Sequence, residues 1–171
     1  MKVIIIYASR GGVSKKCAEI LRDKISSSFD VSVFDIENAP PSPDSFDIVV
    51  IGGSVRMSRI NKKLKKYLRE HAQTLNKKQT ALFLCCGFPE YFDTYVAKQI
   101  PKSIIPSLGI HCFGGELKPK NLKGFDKIIV KMLREEIKGA DFESYDALHS
   151  PLPEIVPENI YRLSDKMRKL L

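Results

Sequence analysis

The chain contains no tryptophan and only four cysteines, Cys17, Cys85, Cys86 and Cys112, in 171 residues. No C-x-x-C spacing occurs, and only His71, His111 and His149 could add an imidazole. Neither a zinc site nor a disulfide framework is therefore expected. Long hydrophobic runs are also missing. The early run Val3 to Tyr7 is strand-sized, far short of a bilayer span. It is equally too short for the core of a secretory signal, so a cytoplasmic chain with reduced cysteines is expected. No biased tract or internal repeat is present, and a hydrophobic fraction of 43% excludes a disordered chain. A chain of this length can bury its own core, and a single domain over 1–171 is expected.

Acids are scarce in one stretch. The net charge is +8, and the excess is local. From Arg56 to Lys78 the cations are Arg56, Arg59, Lys62, Lys63, Lys65, Lys66, Arg69, Lys77 and Lys78, against Glu70 alone. Such a face is either a solvated helix surface or a docking site for an acidic protein or an anionic membrane. No zinc-finger spacing or RNA-binding aromatic signature accompanies it, so no nucleic acid is expected.

Patterning supplies the elements. Lys2 to Tyr7 is a continuous apolar run that predicts a buried strand. Val13 to about Ser28 shows a helical repeat through Val13, Cys17, Ile20 or Leu21, and Lys24 or Ile25. Further strands are expected over Asp30–Ile36, Asp47–Gly53 (closed by Gly52-Gly53), Thr80–Cys86, and Ile110–Phe113 extended to Glu116. A basic helix over Ile60–His71, continuing to Leu75, follows the third strand. Helices are also expected over Glu90–Ile100, Gly124–Ile137 and Pro157–Leu171, with Pro157 in the first turn of the last. Residues 141–157 read as irregular. Five alternations of strand and helix predict a three-layer, doubly wound α/β fold. Its five-stranded parallel sheet has the order 2-1-3-4-5.

Ligands bind such sheets beyond the carboxyl ends of the strands. Three loops should meet there. The first, Ser9-Arg10-Gly11-Gly12-Val13-Ser14, runs from a strand straight into a helix. Glycines let its N–H groups turn inward, and the helix N-terminus adds positive potential, which suits a phosphate. An ordinary turn capped by Ser14 is the alternative. The loop is neither G-x-G-x-x-G nor a Walker phosphate loop. The second loop runs Gly53-Ser54-Val55-Arg56-Met57-Ser58-Arg59. The third, Cys85-Cys86-Gly87-Phe88-Pro89-Glu90-Tyr91-Phe92, clusters three aromatics at a tip. They either sandwich a planar ligand or pack on the segment Ile104–His111.

These loops resemble those of the flavodoxin-like family. Ser9, Gly12 and Ser14 match its phosphate loop, Ser/Thr-x-Ser/Thr-Gly-x-Ser/Thr, with Gly11 at the third hydroxyl position. The stretch Asp47 to Ser54 and the ending Cys86-Gly87 match as well. The resemblance implies FMN as cofactor, with Ser9, Arg10, Gly11, Gly12, Val13 and Ser14 around its phosphate. It places Ser54, Val55, Arg56 and Met57, and Cys86, Gly87, Phe88 and Tyr91, beside its ring. Tyr91 would stack on one face, and Met57 or Val55 would cover the other. Tyr7-Ala8-Ser9-Arg10-Gly11-Gly12, Ser54-Val55-Arg56 and Phe125-Asp126-Lys127-Ile128 are most similar to the branch that includes menaquinone-dependent protoporphyrinogen dehydrogenase.

The resemblance implies a redox protein that delivers electrons to a partner protein or a quinone-linked acceptor. Porphyrinogen oxidation is one alternative, and a binding module that has lost FMN is another. A receiver domain is set aside, because no acidic pair follows the first strand. Shuttle flavodoxins are acidic, whereas Arg10, Arg56 and Arg59 should border this site and raise the flavin potential. Ser54 to Ile60 has no glycine, which predicts little one-electron-reduced flavin, since the loop peptide turns most easily beside glycine. No catalytic side chain stands out; His111 and Cys86 read as structural.

Overall fold

A computed structural model describes residues 1–56, 58–116 and 154–171. Five parallel strands form one sheet in the order β2-β1-β3-β4-β5. They are β1 (Lys2–Ala8), β2 (Asp30–Asp35), β3 (Ile48–Ser54), β4 (Gln79–Cys85) and β5 (Gly109–Cys112). The helices are α1 (Val13–Ile25), α2 (Lys62–Glu70), α3 (Ala72–Lys77), α4 (Phe92–Gln99) and α5 (Pro157–Arg168).

Period-two alternation divides the core between the two faces of the sheet. Val3, Ile5 and Tyr7 face the layer of α1 and α5, with Cys17, Leu21, Ile25, Ile160, Leu163 and Met167. Ile4 and Ile6 face the layer of α2 to α4, with Leu64, Leu68, Leu75 and Tyr95. Both faces are covered, which is why the strands read as unbroken apolar runs. The predicted three-layer order is the observed one.

Several boundaries differ, each for a local reason. The third strand does not stop at Gly52-Gly53 but runs to Ser54. Gly52 is needed inside the strand: a Cβ there would lie 2.3 Å from the Phe83 ring and 2.4 Å from the Phe83 carbonyl oxygen. The long basic helix is two helices. His71 sits at the junction at φ −104°, ψ 13°, so the first helix ends at Glu70 and Ile60 precedes it. Asn61 starts α2, its side chain accepting the N–H groups of Lys63 and Leu64. The helix expected from Glu90 opens instead as a 3-10 turn over Pro89–Tyr91, with α4 beginning at Phe92. β5 ends at Cys112 rather than reaching Glu116.

Beyond β5, Gly114 pairs antiparallel with Ile155, fixed by Gly115 N–H to the Glu154 carbonyl and Val156 N–H to the Phe113 carbonyl, both 3.0 Å. The segment just before α5 is thus tied to the sheet. Pro157 begins α5 as expected, but Leu171 is exposed. The expected helix at 124–137, the motif at 125–128, most of the 141–157 segment and Met57 lie outside the described residues.

His111 is structural, as its strand position suggested. Its Nε2 lies 2.9 Å from the Leu108 carbonyl oxygen. Burial holds its pKa below the usual 6.5, with Lys166 adding to the effect and the Leu108 carbonyl opposing it. The unfolded chain therefore takes up this proton first as pH falls. Stability contributed by neutral His111 is present above 6.5 and is lost as pH drops through the lower folded value. Urea melts from pH 7.5 down to 4.5 should show a shallower acid slope in His111→Gln than in the parent.

Candidate functional site

The parallel sheet brings three strand ends to one rim. Ala8 pairs with Gly53 across β1 and β3, and Ser54 pairs with Cys85 across β3 and β4. Ser9, Val55 and Cys86 therefore leave the sheet side by side. The strand order reverses between β1 and β3, where α/β sheets place their ligands.

The first loop is built around Gly12, at φ +89° and ψ −15° in the cap position of α1. An L side chain is strained there, so glycine is the natural occupant. The Ser9 hydroxyl accepts the Gly12 N–H at 3.0 Å. Ser14 is not the helix cap. It is fully buried, and its hydroxyl lies 2.6 Å from that of Ser54, joining the first loop to the second. Both loop hydroxyls are thus engaged within the protein.

What remains for a ligand is backbone. No side chain caps α1, and its first turn holds no acid. The first-turn N–H groups are the orphan donors of the helix end. A Cβ placed on Gly11 or Gly12 would meet no atom within 4 Å, so the space above the loop is open. Arg10, Lys15 and Lys16 are exposed beside it. An uncapped helix start with free volume and flanking cations fits a phosphate.

The positive φ of Gly12 makes a specific prediction. Gly12→Val should cost about 1–3 kcal/mol of stability and place a branched side chain in the open cradle. In urea melts and FMN titrations, we expect a lower midpoint and FMN binding weakened by at least roughly tenfold. Gly11, which has no positive φ, should tolerate alanine within about 0.5 kcal/mol.

The second loop departs from β3 with Val55 N–H donating to the Cys85 carbonyl at 2.9 Å. Arg56 and Arg59 then exchange backbone hydrogen bonds of 2.9 and 3.0 Å, closing a tight turn. Ser58 in that turn takes φ +55°. The left-handed geometry expected to need a glycine is therefore already present without one. The expectation of little one-electron-reduced flavin loses the physical basis given for it. Both arginine side chains are exposed, and Val55 is half-buried.

The third loop holds Cys86 buried at the rim, with Gly87 and Phe88 half-buried. Tyr91 and Phe92 also pack, half-buried, against the apolar cluster that contains Ile104 and Ile110. Tyr91 and Phe92 are thus packed on that cluster rather than free at a loop tip.

A fourth loop, overlooked in the sequence, completes the rim. A Cβ on Gly115 would lie 2.8 Å from both N and Cα of Gly87, so the loop after β5 presses backbone to backbone on the third loop. Glu116 reaches back to Lys16 of α1 at 3.8 Å. The available signal is the pair Gly114-Gly115 just beyond the apolar run Ile110–Phe113.

Among the described residues no helix is long and apolar enough to cross a membrane. The flavodoxin domain family model matches residues 4–144. Protoporphyrinogen IX dehydrogenase [quinone] of Escherichia coli K12 is 22% identical over 179 residues, covering 97% of this chain and 98% of that protein. Among solved structures, a flavodoxin of Streptococcus pneumoniae TIGR4 aligns over 100% of both chains with TM-score 0.57 at 12% identity. A short-chain flavodoxin associated with a PDU bacterial microcompartment aligns over 99% of both, with TM-score 0.53 at 12% identity. These two likenesses show the fold. The match of the family model across more than half of the chain shows more: this chain belongs to the flavodoxin domain family, whose cofactor is FMN.

Proposed function

We propose that the protein is an FMN-dependent redox protein that passes electrons to a quinone-linked acceptor or a redox partner protein. The observation that carries this reading is the shared rim. An uncapped, acid-free helix start lies on the same edge as the second and third loops, and the Ser14–Ser54 contact joins two of them. The backbone of Ser9 to Ser14 would hold the phosphate, with Arg10 alongside. Ser54, Val55, Arg56 and Met57 would flank one side of the ring. Cys86, Gly87, Phe88 and Tyr91 would flank the other. FMN supplies one- and two-electron transfer when bound. The chain's own part is to orient the cofactor and set the charge around it.

The exposed cations of α2 give the acceptor side a candidate contact. Lys62, Lys66 and Arg69 are exposed on one face with Lys65 half-exposed. Burial of Leu64, Tyr67 and Leu68 fixes that face outward. An anionic membrane surface is the favoured partner, because quinones reside in membranes. Salt-sensitive cosedimentation with phosphatidylglycerol vesicles supports it. Binding confined to an acidic redox protein supports the alternative.

A second reading is favoured by the end-to-end match to protoporphyrinogen IX dehydrogenase [quinone]. Here the chain oxidises a porphyrinogen and reduces a quinone. The test offers FMN-loaded protein two substrates under anaerobic conditions. Menaquinone-dependent porphyrin formation supports the dehydrogenase. Electron delivery to a quinone or a redox protein from a reduced donor, without porphyrin formation, supports the general carrier. Failure of both would overturn the redox reading.

A further inference from the structure

Four cysteines sit in two close pairs, and the pairs differ in setting. Cys17 and Cys85 lie 3.7 Å apart between α1 and β4, and both are buried in the core. Cys86 and Cys112 lie 3.4 Å apart, sulfur to sulfur, beside the loops of the flavin rim. Cys112 is the last residue of β5, and Cys86 is the first residue beyond β4. Cys86 is buried while Cys112 is only partly buried, so Cys112 is the nearer of the two to solvent.

We propose that Cys86 and Cys112 form a reversible dithiol–disulfide centre, oxidised by a low-molecular-weight disulfide. A disulfide needs sulfurs about 2.0 Å apart, so closure asks for a shift of about 1.4 Å from the observed 3.4 Å. Both residues stand where a ladder ends, so the shift falls on strand ends and not on the centre of the sheet.

Burial assigns the roles. Cys112 is the less buried of the two cysteines and Cys86 lies behind it. The Cys86 contact and the Gly114 N–H also favour the Cys112 thiolate against the opposing effect of burial. Cys112 is therefore the attacking thiolate and Cys86 the resolving thiol. The Cys112 thiolate attacks one sulfur of the external disulfide, forming a mixed disulfide and releasing one thiolate. Loss of the negative charge on Cys112 then removes the influence that held the proton on Cys86. Cys86 gives up that proton to solvent and attacks the Cys112 sulfur, expelling the second thiol. Two protein thiols and one external disulfide thus become one protein disulfide and two external thiols.

The centre does not require FMN, so it stands or falls apart from the proposed function. Its placement carries one consequence for that site: Cys86 is the first residue beyond β4, so the third loop starts at the residue that changes state.

The test equilibrates the full chain, without denaturant, in buffers of graded reduced and oxidised glutathione. Acid quenching, alkylation and peptide mapping follow. We expect a Cys86–Cys112 link with the loss of two hydrogens, reversed by dithiothreitol, while Cys17 and Cys85 stay alkylatable. In Cys86→Ser, glutathione should remain on Cys112 at roughly tenfold or more the wild-type level, because nothing resolves it. The proposal is overturned if Cys86 and Cys112 stay free throughout, if they link only after denaturation, or if Cys17 and Cys85 link first. It is also overturned if wild type retains glutathione on Cys112 as Cys86→Ser does.

Discussion

Replacing Gly52 with alanine should cost the fold at least about 3 kcal/mol, one of the largest single effects expected in this molecule. The new methyl would stand 2.3 Å from the Phe83 ring and 2.4 Å from the Phe83 carbonyl oxygen. A flexible side chain could swing aside, but this one cannot. Phe83 is fully buried, and its ring stacks on Phe113 with centroids 4.7 Å apart. The carbonyl belongs to the neighbouring strand, in register with Gly52. The damage should also reach the rim, because Phe113 leads directly into Gly114 and Gly115, and Gly115 rests on Gly87. Urea melts check the stability, and FMN titration checks the rim. A double variant, Gly52→Ala with Phe83→Leu, should lose less than the sum of the singles, because the two changes share one overlap. A wild-type midpoint for Gly52→Ala would show that this contact is not what fixes the glycine.

Reversing Arg10, Arg56 and Arg59 to glutamate together should produce the largest functional change short of unfolding. All three are exposed on loops at the rim, so removing them leaves the core intact. Their positive field favours the negative charge that reduction adds to the cofactor. Reversal should lower the two-electron potential of FMN-loaded protein and weaken FMN binding, because the phosphate loses an attractive field as well. Both effects should shrink as salt is raised, since exposed charges are screened over about 10 Å at 0.1 M ionic strength. Spectroelectrochemical titration at two salt concentrations checks this. A potential that does not move, or that moves equally at both salts, would assign the tuning to the hydrogen bonds of the loops instead.

The layer order was legible because both faces of the sheet are covered. Unbroken β-branched runs such as Val3 to Tyr7 fit buried strands, and helices follow β1, β3 and β4, while only 3-10 turns join β2 to β3. The loops after β1 and β3 were legible for a related reason, since a strand that ends in small residues and leads towards a helix leaves its backbone exposed to ligands. What the sequence concealed lies in contacts between loops. Ser14 reads as a phosphate hydroxyl or a helix cap, yet it is buried against Ser54, forty residues away. Gly52 reads as a strand terminator because glycine often is one, while its actual reason is the Phe83 ring from the next strand. The fourth loop depends on Gly115 meeting Gly87, a long-range backbone contact that no local pattern encodes. Ser58 taking a left-handed conformation is a similar case, because the Arg56–Arg59 hydrogen bonds compel what residue preference disfavours. The break at His71 is subtler still, since the apolar repeat continues through it from Leu68 to Leu75.

The most direct test of the central claim is the visible absorption spectrum of the purified protein, before and after incubation with FMN and removal of the excess. The account predicts a flavin spectrum that stays with the protein through gel filtration, at one FMN per chain, and that is lost in Gly12→Val. A folded protein that remains colourless after incubation would contradict it and leave the rim as a site for some other anion.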